Sequence, residues 1–216
     1  MEILEKLNII TNNEDLYIKA FTHTSYSNEH PEYESYERLE FLGDAVLELI
    51  ISDYLYNEKH LEEGTMTKLR SSYVCETACC TYAKDLGLDK CILLGSGEME
   101  ANTTILADSF ESFIGALYLE QGIEVARKVV MDTIRKYIEQ GIDFLHDYKS
   151  ELQEQVQNVR KTAVYEIISE TGPAHDKTFK CQVKVDDIIM GIGIGSSKKA
   201  AEQEAAKEAL KKQIKL

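Results

Sequence analysis

Along residues 1–145 apolar positions recur every three to four residues with no period-2 run, and this pattern predicts mostly helix. Helices are expected over about 2–9, 13–20, 31–57 (one element or two), 65–86, 103–120 and 122–140. Turns fall near Asn12, Asn28, Gly64, Gly87 and Gly122, and residues 94–104, Leu-Gly-Ser-Gly-Glu-Met-Glu-Ala-Asn-Thr-Thr, form the clearest loop. The texture changes near His146. After a short helix opening at Tyr148, Phe179, Cys181, Val183 and Val185 alternate with Lys180, Gln182 and Lys184, the pattern of a half-buried antiparallel strand. A strand over 164–170 precedes it, and another over 188–194 follows a turn at Asp186 and Asp187. Ser196 and Ser197 then open a final helix in which Ala201, Ala205 and Ala209 recur at i, i+4, i+8. The expected architecture is an all-helical domain over residues 1–146 followed by an αβββα domain over residues 147–216.

Within the helical half, residues 37–48, Glu-Arg-Leu-Glu-Phe-Leu-Gly-Asp-Ala-Val-Leu-Glu, carry two stripes at once. At about 100° per residue, Glu37, Glu40, Asp44 and Glu48 lie within roughly 80° of one another, and Leu39, Leu42, Val46, Leu49 and Ile50 gather on another side. A charged stripe on an amphipathic helix is ordinarily its solvated face. Two features here argue for more. Phe41 lies on the acidic side, where an aromatic ring implies a second surface. Gly43 inside a helix costs about 1 kcal/mol relative to Ala, which a close approach by another backbone or subunit would justify. Aligned like charges also repel by a few tenths of a kcal/mol per pair, and a hard metal ion is the natural compensation.

Asp108 and Glu111 form a second acidic pair one turn apart near a helix start, with Phe113, Ile114 and Leu117 marking its buried side. Acids in a first turn suit the helix dipole without any further role, so this pair gains meaning only alongside Glu37, Glu40 and Asp44. Lys198 and Lys199 do the opposite: cations in a first turn oppose the dipole, and a bound phosphate would supply the reason.

Composition narrows the classes. The 216 residues are 44% hydrophobic and can bury a substantial core, and the acidic, amphipathic start lacks a basic region followed by an apolar run. No stretch approaches a membrane span, so a soluble, cytoplasmic protein is expected. Cys75, Cys79, Cys80, Cys91 and Cys181 are odd in number and lack zinc-site spacing; they read as reduced, mostly buried residues. The net charge of −14 is unevenly divided: 12 basic against 27 acidic residues in 1–146, and 12 against 11 in 147–216. An acidic surface repels a polyanion unless cations mediate, so any nucleic-acid chemistry here should involve divalent metal.

With these residues in view, the chain resembles bacterial ribonuclease III over nearly its whole length. Glu37-Arg-Leu-Glu-Phe-Leu-Gly-Asp44 is similar to that family's signature, and His23-Thr-Ser-Tyr26, Glu63-Gly-Thr-Met-Thr-Lys-Leu-Arg70, Ala107-Asp-Ser-Phe-Glu111 and Ile114-Gly-Ala-Leu-Tyr118 match further blocks in order. Tyr148-Lys-Ser-Glu-Leu-Gln153, Gly172-Pro-Ala-His175 and Ser197-Lys-Lys199 resemble its double-stranded-RNA-binding blocks. The resemblance implies a homodimeric endonuclease on double-stranded RNA in RNA processing, including rRNA processing, leaving 5′-phosphate and 3′-hydroxyl ends. It implies Mg²⁺, with Mn²⁺ able to substitute, held by Glu40, Asp44, Asp108 and Glu111. Asp44, Glu111 and Glu37 are then the catalytic group, with Glu37 acting through water or RNA. Phe41 is placed at the dimer interface and Glu63 towards the partner's site. Ser150, Gln153, Glu154 and His175 are implied to meet minor grooves and 2′-hydroxyls, with Lys198 and Lys199 on phosphates. One departure stands out: residues 91–126 contain no Lys or Arg, and the loop at 95–104 is short and lacks the family's basic residues, so weaker or more salt-sensitive RNA binding is expected.

The chemistry is coherent on its own terms. Phosphodiester hydrolysis needs a hydroxide-like nucleophile and a stabilised leaving oxygen, both of which Mg²⁺ assists, and Mg²⁺ prefers carboxylate and water oxygens. Two rivals remain: a catalytically silent dimeric double-stranded-RNA-binding protein that keeps its nuclease domain as a scaffold, and a di-iron carboxylate bundle, for which neither acidic helix supplies the Glu-x-x-His pairs.

Overall fold

The computed structural model describes residues 1–172 and 177–213, and the chain divides into two compact units, Met1–Leu145 and His146–Leu216. The first is helical: α1 Glu2–Lys6, α2 Glu14–Ala20, α3 Thr24–Glu29, α4 Glu37–Glu58, α5 Glu63–Val74, α6 Glu76–Leu86, α7 Thr103–Gln121 and α8 Ile123–Glu139, with a 3₁₀ turn at Leu88–Lys90. Every residue of α7 from Ile105 to Ala107 and from Ser112 to Leu117 is buried. A helix buried along most of its length belongs in the middle, and α2, α4, α6 and α8 pack around it.

The α4–α7 crossing is made possible by two glycines. A Cβ at Gly43 would lie 1.8 Å from the Glu111 carbonyl oxygen, and one at Gly115 would lie 2.4 Å from that of Leu39. The partner backbone anticipated for Gly43 is therefore α7 of the same chain. This close approach also selects the buried face of α4, which runs through Leu39, Gly43, Val46, Leu47 and Ile50. Leu49, expected with the apolar stripe, falls outside that face and is 57% exposed.

Several boundaries differ from the periodic reading. The first helix stops at Lys6 because Asn8 turns left-handed at φ 56°. The span expected as 31–57 begins only at Glu37, since the Tyr36 N–H is given to the Thr22 carbonyl at 2.9 Å. Helix α3 went unpredicted, having no buried residue to create a period; the His23 ring caps it by accepting the Ser25 N–H at 3.2 Å. The expected 65–86 helix is two helices, parted where Cys75 turns extended at ψ 159°. No Gly or Pro marks that break, which lets Tyr73 on one side and Cys79 and Cys80 on the other reach the same core. Gly64 lies in the first turn of α5 rather than in a loop.

The second unit runs α9 Tyr148–Asn158, β1 Ala163–Thr171, β2 Thr178–Val185, β3 Ile188–Gly195 and α10 Lys198–Gln213, with an antiparallel sheet in the order β1-β2-β3. Asp186 and Asp187 both take positive φ, 51° and 62°, as a two-residue hairpin requires. Cys181, Val183 and Val185 point inward onto Leu152, Val156 and the alanines of α10. Ala201, Ala205 and Ala209 are fully buried because β3 meets them with glycine: a Cβ at Gly193 would sit 2.2 Å from the Ala201 carbonyl oxygen. All five cysteines are free thiols.

Candidate active site

The crossing at Gly43 fixes the acidic site, because it brings the first turns of α4 against the stretch of α7 that carries Asp108 and Glu111. Glu40, Asp108 and Glu111 are half-buried, while Glu37 and Asp44 are exposed. Burial pushes the Glu111 carboxyl up to about 8, helped by the charges of Asp44, Asp108 and Glu40 in that order. Glu40 is raised by burial and then by Asp108, Glu37 and Asp44. Asp108 is raised by burial and by Glu76, against the opposing influence of a Tyr36 hydrogen bond and His23. All five predicted acids thus share one electrostatic neighbourhood, which two segments so distant in the chain reach only through this fold. Glu48, on the same predicted stripe, is absent from that neighbourhood and stands exposed further along α4.

Among the described residues no Lys or Arg forms an ion pair with any of the five. Nor do any three His, Cys, Asp or Glu side chains among them stand ready-made around one point as a metal cage. The arrangement is a set of partly desolvated carboxylates facing a common space, with no Lys or Arg paired to them among the described residues. That suits a hard divalent ion such as Mg²⁺, which keeps several waters and takes only one or two direct carboxylates. The donor set contains only oxygen, apart from a thiol behind it, which excludes a zinc-type Cys/His site there.

Three contributors escaped the sequence reading. The Tyr36 hydroxyl donates to Asp108 Oδ2 at 3.3 Å, and burial followed by the charges of Asp108 and Glu40 keeps the phenol protonated. The fully buried Cys79 thiol, which donates to the Val74 carbonyl at 3.6 Å, bears on Glu111 from behind. Glu76, at the start of α6, bears on Asp108 and accepts the Thr104 hydroxyl at 3.2 Å. Each stands on a different helix or helix entry from the acid it serves, so no local motif could join them. Phe41, set beside the acids on α4, is 82% exposed. The base-poor loop that follows is pinned at its start, where Ser96 N–H and hydroxyl reach Glu29 Oε1 at 2.9 and 2.8 Å.

In the second unit, Ser150, Gln153, Glu154 and Lys199 line one shallow groove between α9 and α10. Asp147 ties it together, accepting from the Ser150 N–H at 3.0 Å, the Ser150 hydroxyl at 2.7 Å and Gln203 Nε2 at 2.7 Å. Lys198 is exposed at the same helix start without lining the groove; Ser197 caps that start by accepting the Ala200 N–H at 3.1 Å. His175, expected to join this surface, lies outside the described residues.

Comparison with known proteins adds independent information. Residues 13–138 match the family model described as ribonuclease-III-like, and residues 148–213 match the double-stranded RNA binding motif. Ribonuclease 3 of Onion yellows phytoplasma is 44% identical over 214 residues, covering 97% of this chain and 90% of the relative. Ribonuclease 3 of a Geobacillus species is 47% identical over 221 residues, covering 98% and 89%. Among solved structures, a ribonuclease III nuclease domain from Campylobacter jejuni, described for flexibility in a region involved in dimer formation, is 34% identical. It superposes with a TM-score of 0.58 over 62% of this chain and 95% of that one.

Proposed function

The chain belongs to the ribonuclease III family and on that premise is an endoribonuclease acting on double-stranded RNA; we infer that it cleaves by Mg²⁺-dependent phosphodiester hydrolysis, leaving 5′-phosphate and 3′-hydroxyl ends. Glu40, Asp44, Asp108 and Glu111 hold the ion in this reading, Mn²⁺ can replace it, and Glu37 acts from the rim through water or RNA. The observation that carries the proposal is the crowding at Glu111: burial and then three further carboxylates raise its proton affinity, and among the described residues no Lys or Arg forms an ion pair with any of them. Such a site gains stability from a divalent cation and from little else. When bound, the ion supplies Lewis acidity to the phosphate and makes a hydroxide-like nucleophile accessible near neutral pH.

The protein's own share is to place these carboxylates from two helices locked at Gly43 and Gly115, so that little reorganisation is needed when the ion and substrate arrive. Residues 1–146 serve as the nuclease and residues 147–216 as the RNA-binding domain. Ser150, Gln153, Glu154, Lys198 and Lys199 offer polar and cationic groups suited to 2′-hydroxyls and phosphates across minor grooves, and His175 is assigned there by motif alone. Phe41 is the residue proposed at a homodimer interface; its ring stands 82% exposed beside the acids on α4. No described helix is long and apolar enough to cross a membrane, and a cytoplasmic place of action is part of the same proposal.

The test is cleavage of a long duplex against the same sequence single-stranded. The proposal expects Mg²⁺-dependent cutting of both duplex strands with short 3′ overhangs, abolished by chelator and by Glu111→Gln while duplex binding persists. A protein that binds duplex but never cuts it, with Mg²⁺ or Mn²⁺, would instead be the silent scaffold.

A further inference from the structure

We propose that Tyr36 is a positioning residue for Asp108, its hydroxyl holding that carboxylate towards the space shared with Glu111 against the repulsion of the surrounding acids. The inference rests on the metal-site reading above and concerns a residue outside the acidic set. Tyr36 is 2% exposed and fixed at several points. Its N–H donates to the Thr22 carbonyl at 2.9 Å, its own carbonyl accepts the Leu39 and Glu40 N–H groups at 2.7 and 3.0 Å, and its ring packs 5.8 Å from that of His23. So anchored, the phenol has little freedom to redirect its hydroxyl, which meets Asp108 Oδ2 at 3.3 Å.

Asp108 needs such a tether. Glu76 acts on it, and it acts in turn on Glu40 and Glu111, so an untethered carboxylate lowers its energy by rotating out to water. Among the described residues, Tyr36 is the side chain that hydrogen-bonds it. Engaging Oδ2 restricts rotation of the carboxylate and leaves the other oxygen for an ion. The separation is longer than the roughly 2.7 Å typical of O–H···O bonds, and hydrogen bonds of this kind commonly tighten once a site is loaded. Because Tyr36 also opens α4, one residue couples the entry of the helix bearing Glu40 and Asp44 to an acid on α7.

The experiment uses the full-length protein without RNA and follows free Mn²⁺ by electron paramagnetic resonance during titration. Tyr36→Phe keeps the ring and its packing and removes only the hydroxyl. Mn²⁺ affinity is expected to fall about tenfold, the usual scale for losing an outer partner of a metal ligand. The unfolding temperature in chelator should stay unchanged, and cleavage should recover towards the wild-type kcat at saturating Mn²⁺ with KM for duplex RNA unaffected. In an Asp108→Asn background, Tyr36→Phe should cause no further loss. Wild-type Mn²⁺ affinity in Tyr36→Phe, or an equal loss with and without Asp108, would overturn the proposal. Glu111→Gln serves as the control: if it too leaves Mn²⁺ binding untouched, the metal site itself is misassigned, whereas a loss in Glu111→Gln alone defeats only the role of Tyr36.

Discussion

At the scale of single residues, Glu111 decides most. Its carboxyl is raised from an ordinary 4.5 to about 8, so between those values the folded protein holds a proton that the unfolded chain has released. The folded state then binds more protons than the unfolded one, and stability falls as pH rises across the window. In chelator the metal-free protein should lose stability from about pH 5 to pH 8, and Glu111→Gln should flatten that loss. At pH 8.5 the variant should be the more stable by on the order of 1–3 kcal/mol, allowing for partial solvent screening. Denaturant titrations at both ends of this range measure the difference, and parallel pH profiles for the two proteins would count against it. Proton release on metal binding below pH 8 follows from the same shift. Glu111 could be picked out from sequence because Ala107-Asp-Ser-Phe-Glu111 matches a further block of the family that the signature had already suggested. Tyr36, Cys79 and Glu76 could not, since their relevance arises from side chains that meet only after α4, α6 and α7 pack.

Among elements, the α4–α7 crossing does the positioning, and Gly43 carries it. A methyl group there would lie 1.8 Å from the Glu111 carbonyl, a clash that only backbone displacement can relieve. Gly43→Ala should therefore cost about 1–3 kcal/mol or more and also shift Glu111, so activity should fall further than the loss of folded protein explains. Activity per folded molecule, measured below the unfolding transition, separates the two effects; a destabilised variant with wild-type specific activity would show that the crossing is structural only. The sequence disclosed that Gly43 needed a reason but not which backbone approached it. Long apolar-periodic helices such as α7 and α8 and the alternating β2 were legible because burial imposes their period. Helix α3 and the break at Cys75 were not, because one buries nothing and the other is made by a backbone turn at a residue without special propensity.

For the molecule as a whole, charge division sets the terms of RNA binding. With 27 acidic against 12 basic residues in 1–146, that half repels a duplex, and affinity without divalent ions should come from residues 147–216. Replacing Lys198 and Lys199 together by Ala should weaken duplex binding and make log K against log salt shallower by about 0.9 for each phosphate no longer neutralised. Fluorescence anisotropy in chelator reads both, and an unchanged slope would remove these lysines from the phosphate surface. In the base-poor loop at 95–104, missing cations release fewer counterions, so the weaker binding expected there comes with a shallower salt slope and not a steeper one.

The central claim is that acids from α4 and α7 share a divalent ion. Anomalous diffraction at the manganese edge from Mn²⁺-soaked crystals tests it most directly. The account predicts a peak within reach of carboxylates from both helices, Glu40 or Asp44 on one side and Asp108 or Glu111 on the other. Manganese bound elsewhere, with Asp44 and Glu111 turned into separate regions of solvent, would contradict it.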